Sequence, residues 1–491
     1  MNKSQNYSLE INLYRTKVLT IMNRLFISTL SGLLFASLTF NASTAKASSD
    51  NFTAQQLKHV EQIKAQALES DMAWDLVESL TTEVGPRMAG TPGDKAAVAW
   101  AELKLKSMGF DKVWKEPATF PAWIRHSESA AIISPAPQPI HITAFGNSIS
   151  TPKEGIQAEV IEFQTLDELK NAPENAAKGK IVFINYRMNR DRDGNGYGPA
   201  VKARRNGAVV AAQKGAVGYV MRSVSTAHHR FAHTGGSSYQ EGVSKIVSSA
   251  ISNADADQLH RLVALGKPVT ININIQAESM GEGSSYNVIG EFTGSEFPDE
   301  YVLIGGHLDS WDLGTGALDD GAGVAITMAA AKLAASKGKL KRSIRVVLFA
   351  AEEFGLWGAK AYAKAHEKDL SNIVAAAESD FGADNIWGFE SNVHASGLPV
   401  VRDIAVKMQS LNVEYIGSNV ARGGPDLIPL FPYKVPVFNL AQDGTDYFDY
   451  HHTADDTLDK VDPVKLRQNV ATYAVFAYMA ANAKTRITGK Q

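Results

Sequence analysis

Five short stretches in the second half of the chain concentrate side chains that can hold a metal ion or move a proton. They are Gly305-Gly306-His307-Leu308-Asp309, Asp319-Asp320, Ala351-Glu352-Glu353, Ser379-Asp380 and His451-His452. Every donor is an imidazole or a carboxylate. The 491 residues include no cysteine, which removes thiol nucleophiles, thiolate-bound zinc and redox dithiols. Imidazole suits zinc and similar ions, and a surplus of carboxylates suits two ions that share a bridging ligand. Two ions held roughly 3.5–4 Å apart can draw a nucleophile from water and polarise a carbonyl. That chemistry also needs a proton carrier, and in a pair such as Glu352-Glu353 one carboxylate can bind metal while its neighbour stays free as general base. Each stretch alone has a bland reading: a surface His-x-Asp pair, acids at a helix start where the dipole favours them, an Asp-Asp-Gly turn, a helix cap. Their placement on successive elements decides between the readings.

From about residue 285 the apolar pattern alternates strand and helix. Strands are expected over 301–304, 344–350, 373–378 and 435–440, and helices over 323–336, 357–370, 398–411 and 464–482. This is the signature of an α/β fold with a central, largely parallel (mixed) sheet flanked by helices. Three of the strands run directly into His307, into Glu352-Glu353 and into Asp380. Open α/β sheets gather their sites at the carboxyl ends of strands, so these groups can converge, with the two loop pairs beside them. Upstream, 54–83 and 95–109 carry helical spacing around the turn Val84-Gly85-Pro86-Arg87. Pro117, Pro121, Pro135, Pro137 and Pro139 then break the pattern. Residues 125–282 read as a separate β-rich domain, with strands over 181–186, 216–221 and 269–275 and a helix over 202–214. The chain thus divides into a leader (1–47), a first catalytic part (48–124), an inserted domain (125–282) and a second catalytic part (283–491).

Composition is globular, 44% apolar and 21% charged. With 49 Lys+Arg against 52 Asp+Glu there is no basic excess to neutralise a phosphate backbone, so nucleic acid is not an expected partner. Arg24, a mostly apolar run over 25–40 and Ala45-Lys46-Ala47 form an export signal with a cleavage pattern. The hydroxyl-interrupted run makes a poor membrane span. Translation starts at Met1 or at Met22, and cleavage leaves Ser48 first. The mature chain then holds 44 Lys+Arg and 51 Asp+Glu. It is expected outside the cytoplasm, periplasmic or extracellular, without stable membrane insertion.

The run GGHLDSWDLGTGALDDGAG, followed by AAEEFGLWGAKAY, ESDFGAD and YHHTADDTLD, resembles the di-zinc exopeptidases. TTEVGPRMAGT, DKVWKEP and AHTGGSSYQEGVSKI extend the resemblance from about Glu78 to the end. It implies two Zn2+ per chain and roles residue by residue. His307 and Asp380 would hold one ion, Glu353 and His452 the other, and Asp319 would bridge both across a cis Asp319-Asp320 bond. Glu352 would be the general base, and Asp309 the acid that orients His307. His452 is preferred to His451 because an acid, Asp456, follows it by four residues; His451 is expected on the opposite side of the local chain. KGKIVFINY and QKGAVGYV resemble the protease-associated insert of some of these enzymes. The implied activity is hydrolysis of dipeptides or short peptides with free ends, and the implied assembly a homodimer. The rivals are an aminopeptidase on longer peptides with the same site, a one-zinc enzyme that cyclises N-terminal glutamine, and an inactive binding homologue. All five ligands and Glu352 are present, which speaks against the last. Two further clusters were weighed. Asp191–Gly196 starts like a calcium loop but has Lys202 where a bidentate Glu is required. His228, His229 and His233 read as a solvated or cleft-lining loop.

Overall fold

The computed structural model describes residues 50–490. The leader expected over 1–47, with its two candidate start codons, lies outside the described residues. Among those described, fourteen strands form one hydrogen-bonded sheet: β1 (Lys112–Ser134), β2 (Gln138–Ile140), β3 (Ile142–Ala144), β4 (Ile156–Phe163), β5 (Ile181–Ile184), β6 (Gly218–Arg222), β7 (Val247–Ile251), β8 (Thr270–Phe292), β9 (Phe297–His307), β10 (Arg342–Phe349), β11 (Ile373–Glu378), β12 (Ile386–Asn392), β13 (Glu414–Tyr415) and β14 (Val437–Gln442). The order is β13-β12-β14-β11-β9-β10-β8-β4-β5-β6-β7-β3, with β1 also beside β8 and β2 beside β1. Pairs β14–β11, β11–β9 and β9–β10 are parallel, while β12 and β8 run against their neighbours β14 and β10. The sheet is therefore mixed, with a parallel centre.

That centre is apolar on both faces. Val302 and Ile304 of β9 and Val346 and Leu348 of β10 join the core beneath the helices Ala322–Ala334 and Pro463–Asn482. Their alternates Tyr301, Leu303, Val347 and Phe349 turn to the other face, against the helix Trp357–Ala365 and Leu427 and Leu430. Burial on both faces is why these strands read as continuous apolar runs. Each such side chain contributes roughly 1.5–3 kcal/mol on burial. A parallel sheet so covered leaves one rim, at the carboxyl ends of β9, β10 and β11, where polar side chains meet.

The proline-rich patch behaves differently from expectation. Pro117 and Pro121 lie inside β1, a 23-residue strand paired antiparallel with the 23-residue β8. The two prolines are four residues apart and share a face of the ladder, and around them β1 pairs with β8 alone. On an edge strand the missing N–H costs no ladder bond. The β1–β8 ribbon links the two halves of the sheet, and the divisions expected after residues 124 and 282 fall inside its strands. Between them β4, β5, β6 and β7 run parallel beside the helices Tyr197–Gln213 and Asn253–Ala264. Their inner face packs around Ile181, Phe183, Val220, Leu259 and Ile271. No helix among the described residues is long and apolar enough to cross a membrane.

Candidate metal centre

The rim of the parallel strands assembles the acids and imidazoles. His307 ends β9. Past β10 the chain turns through Ala351, at φ 51°, into Glu352-Glu353. Past β11 it passes Ser379 to reach Asp380. His307 Nδ1 lies 2.9 Å from the Asp309 carbonyl oxygen, so Nδ1–H donates and Nε2 faces inward. There it meets Asp319 Oδ1 at 2.9 Å and Asp380 Oδ1 at 3.5 Å. The Asp309 carboxylate is 3.7 Å from Nδ1 and instead accepts the backbone N–H groups of Glu352, at 3.0 Å, and Glu353, at 3.4 Å. Asp309 thus orients the ring by its main chain and the Glu352-Glu353 turn by its side chain.

Asp319 stands between the two imidazoles. Its Oδ1 faces His307, and its Oδ2 lies 3.1 Å from His452 Nε2. His452 Nε2 is also 3.0 Å from Glu353 Oε2. The Asp319-Asp320 bond is cis. Asp320 is committed elsewhere: its Oδ2 accepts the His307 N–H at 2.9 Å and its Oδ1 the Gly323 N–H at 3.0 Å. A Cβ at Gly323 would sit 1.9 Å from the Ser379 carbonyl oxygen, so only glycine permits this approach. Asp456 accepts from the N–H of Leu318 at 2.6 Å and of Asp319 at 3.2 Å, holding the loop that presents Asp319.

His451 differs from expectation. Its ring stacks on His452 with centroids 3.6 Å apart, and its Nε2 reaches 3.5 Å from Asp319 Oδ2, so both rings face the same acid. The left-handed backbone at His452, φ 57°, brings the adjacent side chains to one side. Of the three upstream histidines, His228 and His229 are exposed, while His233 is fully buried and stacks on His452 at 5.5 Å. Asp191–Gly196 belongs to a surface loop whose Arg190 grips Asp446 and Asp449.

Burial works against every charge here, and the neighbours set the outcome. Burial alone would push His307 down, but Asp380, Asp309 and Asp319 hold it well above an ordinary imidazole; Glu353 and Asp319 do the same for His452. Asp319 stays well below the usual carboxylate range, since hydrogen bonds with His307 and His452 outweigh its burial. Burial raises Glu352 well above its usual value, with Glu353 and Asp380 adding to the effect despite His307. Glu353 and Asp380 are raised too, burial first. Asp456 is pushed up to about 7 by burial and by Asp319.

Two residues at the site, Arg87 and Glu378, were not singled out by sequence. Arg87, fully buried, sends Nε to the Leu308 carbonyl at 2.6 Å, Nη1 to Thr315 at 2.7 Å and Nη2 to Gly316 at 2.8 Å. It closes the loop between His307 and Asp319 and lies among Asp456, Asp320, Asp309 and Asp319. Glu378 and Asp426 form a second buried acid pair, in which the Asp426 N–H donates to Glu378 Oε2 at 2.9 Å. Within a turn motif or at a strand end, neither role has a local signature.

The residues fit a bound metal ion. Glu353 Oε1 is buried without a hydrogen-bond partner, a costly state that a cation relieves. Ligand atoms of His307, Asp319 and Glu353 lie within 4.8 Å of one another, as do those of His307, Asp320 and Asp380. Asp320 is committed to backbone donors, which leaves Asp319 as the acid of the two whose oxygens face only imidazoles. The donor set is nitrogen and oxygen only, as zinc accepts.

Comparison with known proteins agrees with this chemistry. Residues 287–477 match the model of Peptidase family M28. The chain is 35% identical over 400 residues to carboxypeptidase Q of Xenopus laevis, spanning 81% of this chain and 83% of that one. A solved structure of a peptidase M28 precursor from Shewanella amazonensis SB2B superposes with a TM-score of 0.86 at 51% identity, covering 88% of this chain and 98% of that one. An aminopeptidase from Aneurinibacillus sp. strain AM-1 shares the fold, with a TM-score of 0.60 at 21% identity over 88% of this chain and 98% of its own.

Proposed function

This chain belongs to peptidase family M28, and on that premise we propose that it is a di-zinc exopeptidase cleaving dipeptides or short peptides with free ends. The observation that carries the reading is Asp319, with one carboxylate oxygen on His307 and the other on His452. His307 and Asp380 would hold one zinc, Glu353 and His452 the second, and Asp319 both. Bound there, the ions would supply a polarised carbonyl and a water of lowered pKa. The remaining work belongs to the chain. Glu352 accepts the water's proton and returns it to the leaving amine, and its burial gives it the raised basicity that this exchange needs. Asp309 fixes the turn that separates Glu352 from Glu353. We read residues 125–282 as an inserted domain bordering the cleft, and the chain as exported after cleavage before Ser48. Likeness to carboxypeptidase Q along most of both chains favours a carboxypeptidase over an aminopeptidase on longer peptides.

A dipeptide panel with free, N-blocked and C-blocked ends tests substrate class and direction together. Dialysis against a strong chelator should abolish turnover and zinc should restore it. Undiminished hydrolysis by metal-free protein, checked by elemental analysis, defeats the zinc reading; preference for long peptides with blocked carboxyl ends defeats the dipeptidase reading. Sequencing the amino terminus of protein from its native host should find Ser48, and an uncleaved cytosolic chain would refute export.

A further inference from the structure

His452 adopts a left-handed backbone, and its outward side is met by a segment far away in sequence. Thr234, between β6 and β7, holds it at two points. The Thr234 N–H donates to the His452 carbonyl at 2.9 Å, and the Thr234 carbonyl lies 3.2 Å from His452 Nδ1. When Nδ1–H donates to that carbonyl, Nε2 faces Asp319 and Glu353 and is the ring nitrogen left to bind a metal ion. The Thr234 carbonyl is itself held. Arg204, on the helix Tyr197–Gln213, places Nη1 3.4 Å from it and 3.3 Å from His233 Nε2. Arg204 is 3% exposed, and its Nη1 partners are a carbonyl and two ring nitrogens, with no carboxylate among them. Its Nε has no hydrogen-bond partner. Gly235 makes room for the group, since a Cβ there would lie 2.3 Å from Arg204 Cζ. Burying a guanidinium without an acid is unfavourable, and a purely structural prop would not need one.

The three imidazoles His233, His451 and His452 also bring ring nitrogens within 4.8 Å of one another. That cluster is a poor third metal site. The His451 and His452 rings are stacked at 20°, so their in-plane lone pairs run side by side instead of converging. The Arg204 charge beside them repels a cation further.

We propose that Arg204, acting through the Thr234 carbonyl and braced by His233, is a positioning residue for His452, so that the segment between β5 and β7 completes one of the two ion sites. The inference rests on the two-zinc reading and assigns the dependence to the His452–Glu353 ion alone. Outer partners of metal-bound histidines typically control affinity by roughly 10–100-fold. The full-length chain is stripped of metal and titrated with zinc against a competing chelator, with metal content read by elemental analysis and site geometry by cobalt absorption. Arg204→Met should keep one ion at parental affinity, weaken the other by roughly 10–100-fold and alter one component of the cobalt spectrum. Arg204→Lys, with a single donor nitrogen, should recover only part of the loss. Equal affinity for both ions in parent and Arg204→Met overturns the proposal. So does an equal loss at both sites with a lower melting point of the stripped protein, which would mark Arg204 as a general prop. Should Arg204→Met not fold, His233→Phe decides. It keeps the stack on His452 but removes the ring nitrogen that braces Arg204, and an unweakened second ion then refutes the proposal. A parent that binds fewer than two ions refutes the two-zinc reading, and this inference with it; two ions in the parent isolate the test to Arg204.

Discussion

At this rim a turning chain sends the side chains of two adjacent acids apart, which leaves them free to do different work. Glu353 Oε2 lies 3.0 Å from His452, whereas Glu352 has no imidazole at hydrogen-bond distance and is raised by burial and by its acidic neighbours. Glu352→Gln keeps shape but cannot take a proton. Turnover of a dipeptide should fall by roughly 10²–10⁴ while two ions stay bound. Glu353→Gln should instead shed or weaken one ion, because a neutral amide is a poorer ligand. Zinc content and turnover measured on both variants side by side separate the roles; loss of zinc from the first variant with retention in the second reverses the assignment. Both acids were legible in the sequence because they follow an apolar strand directly. The two parts of Asp309 were not: a sequence shows that an acid stands two residues after His307, but not that its carbonyl would hold the ring while its carboxylate caps another loop.

Elements were legible in proportion to how much of their stability comes from a repeating apolar face. β11 falls where the apolar run places it, 373–378, and the closing helix Pro463–Asn482 begins one residue before expectation. β1 was hidden because its prolines resemble breakers until the open edge is known, and β12 because its alternation, Ile386 to Asn392, is short and half polar. The loop between His307 and Asp319 was opaque for another reason: its shape is set by a residue 221 or more positions away. Arg87 binds three carbonyls of that loop with three separate nitrogens. Arg87→Lys keeps the charge but has one nitrogen, so it strands at least one buried carbonyl and leaves others poorly placed. At about 1–3 kcal/mol for an unsatisfied buried group, the variant should lose roughly 2–4 kcal/mol. Urea denaturation of the metal-free protein measures this, and an unchanged midpoint would show that the loop closes without the fork.

Across the whole molecule, the site makes the metal-free fold a proton-holding state. Asp456, raised to about 7, keeps a proton where an unfolded chain has lost it. The stability so contributed is complete below the unfolded value near 3.8 and is lost as pH climbs toward 7. His307 and His452, held well above 6.5, extend the same loss to higher pH. His233 and His451 are pushed well below 6.5, first by burial, and Asp319 is held low; their contributions vanish as pH falls, so they oppose the trend only on the acid side. Above about pH 6.5 the first group prevails, and the melting temperature of chelator-stripped protein should decline toward pH 8.5. Zinc reverses the slope, because its ligands must shed those protons before they bind. Each proton released raises affinity about tenfold per pH unit, worth about 1.4 kcal/mol. Stabilisation by a fixed excess of zinc follows the affinity, so the gap between loaded and stripped melting temperatures should widen steadily from pH 6.5 to 8.5. Calorimetric scans at half-unit steps measure the gap directly. A gap that stays level or narrows would mean that His307 and His452 reach the metal already unprotonated, and that the acids crowded around Asp319 are not what primes the empty site.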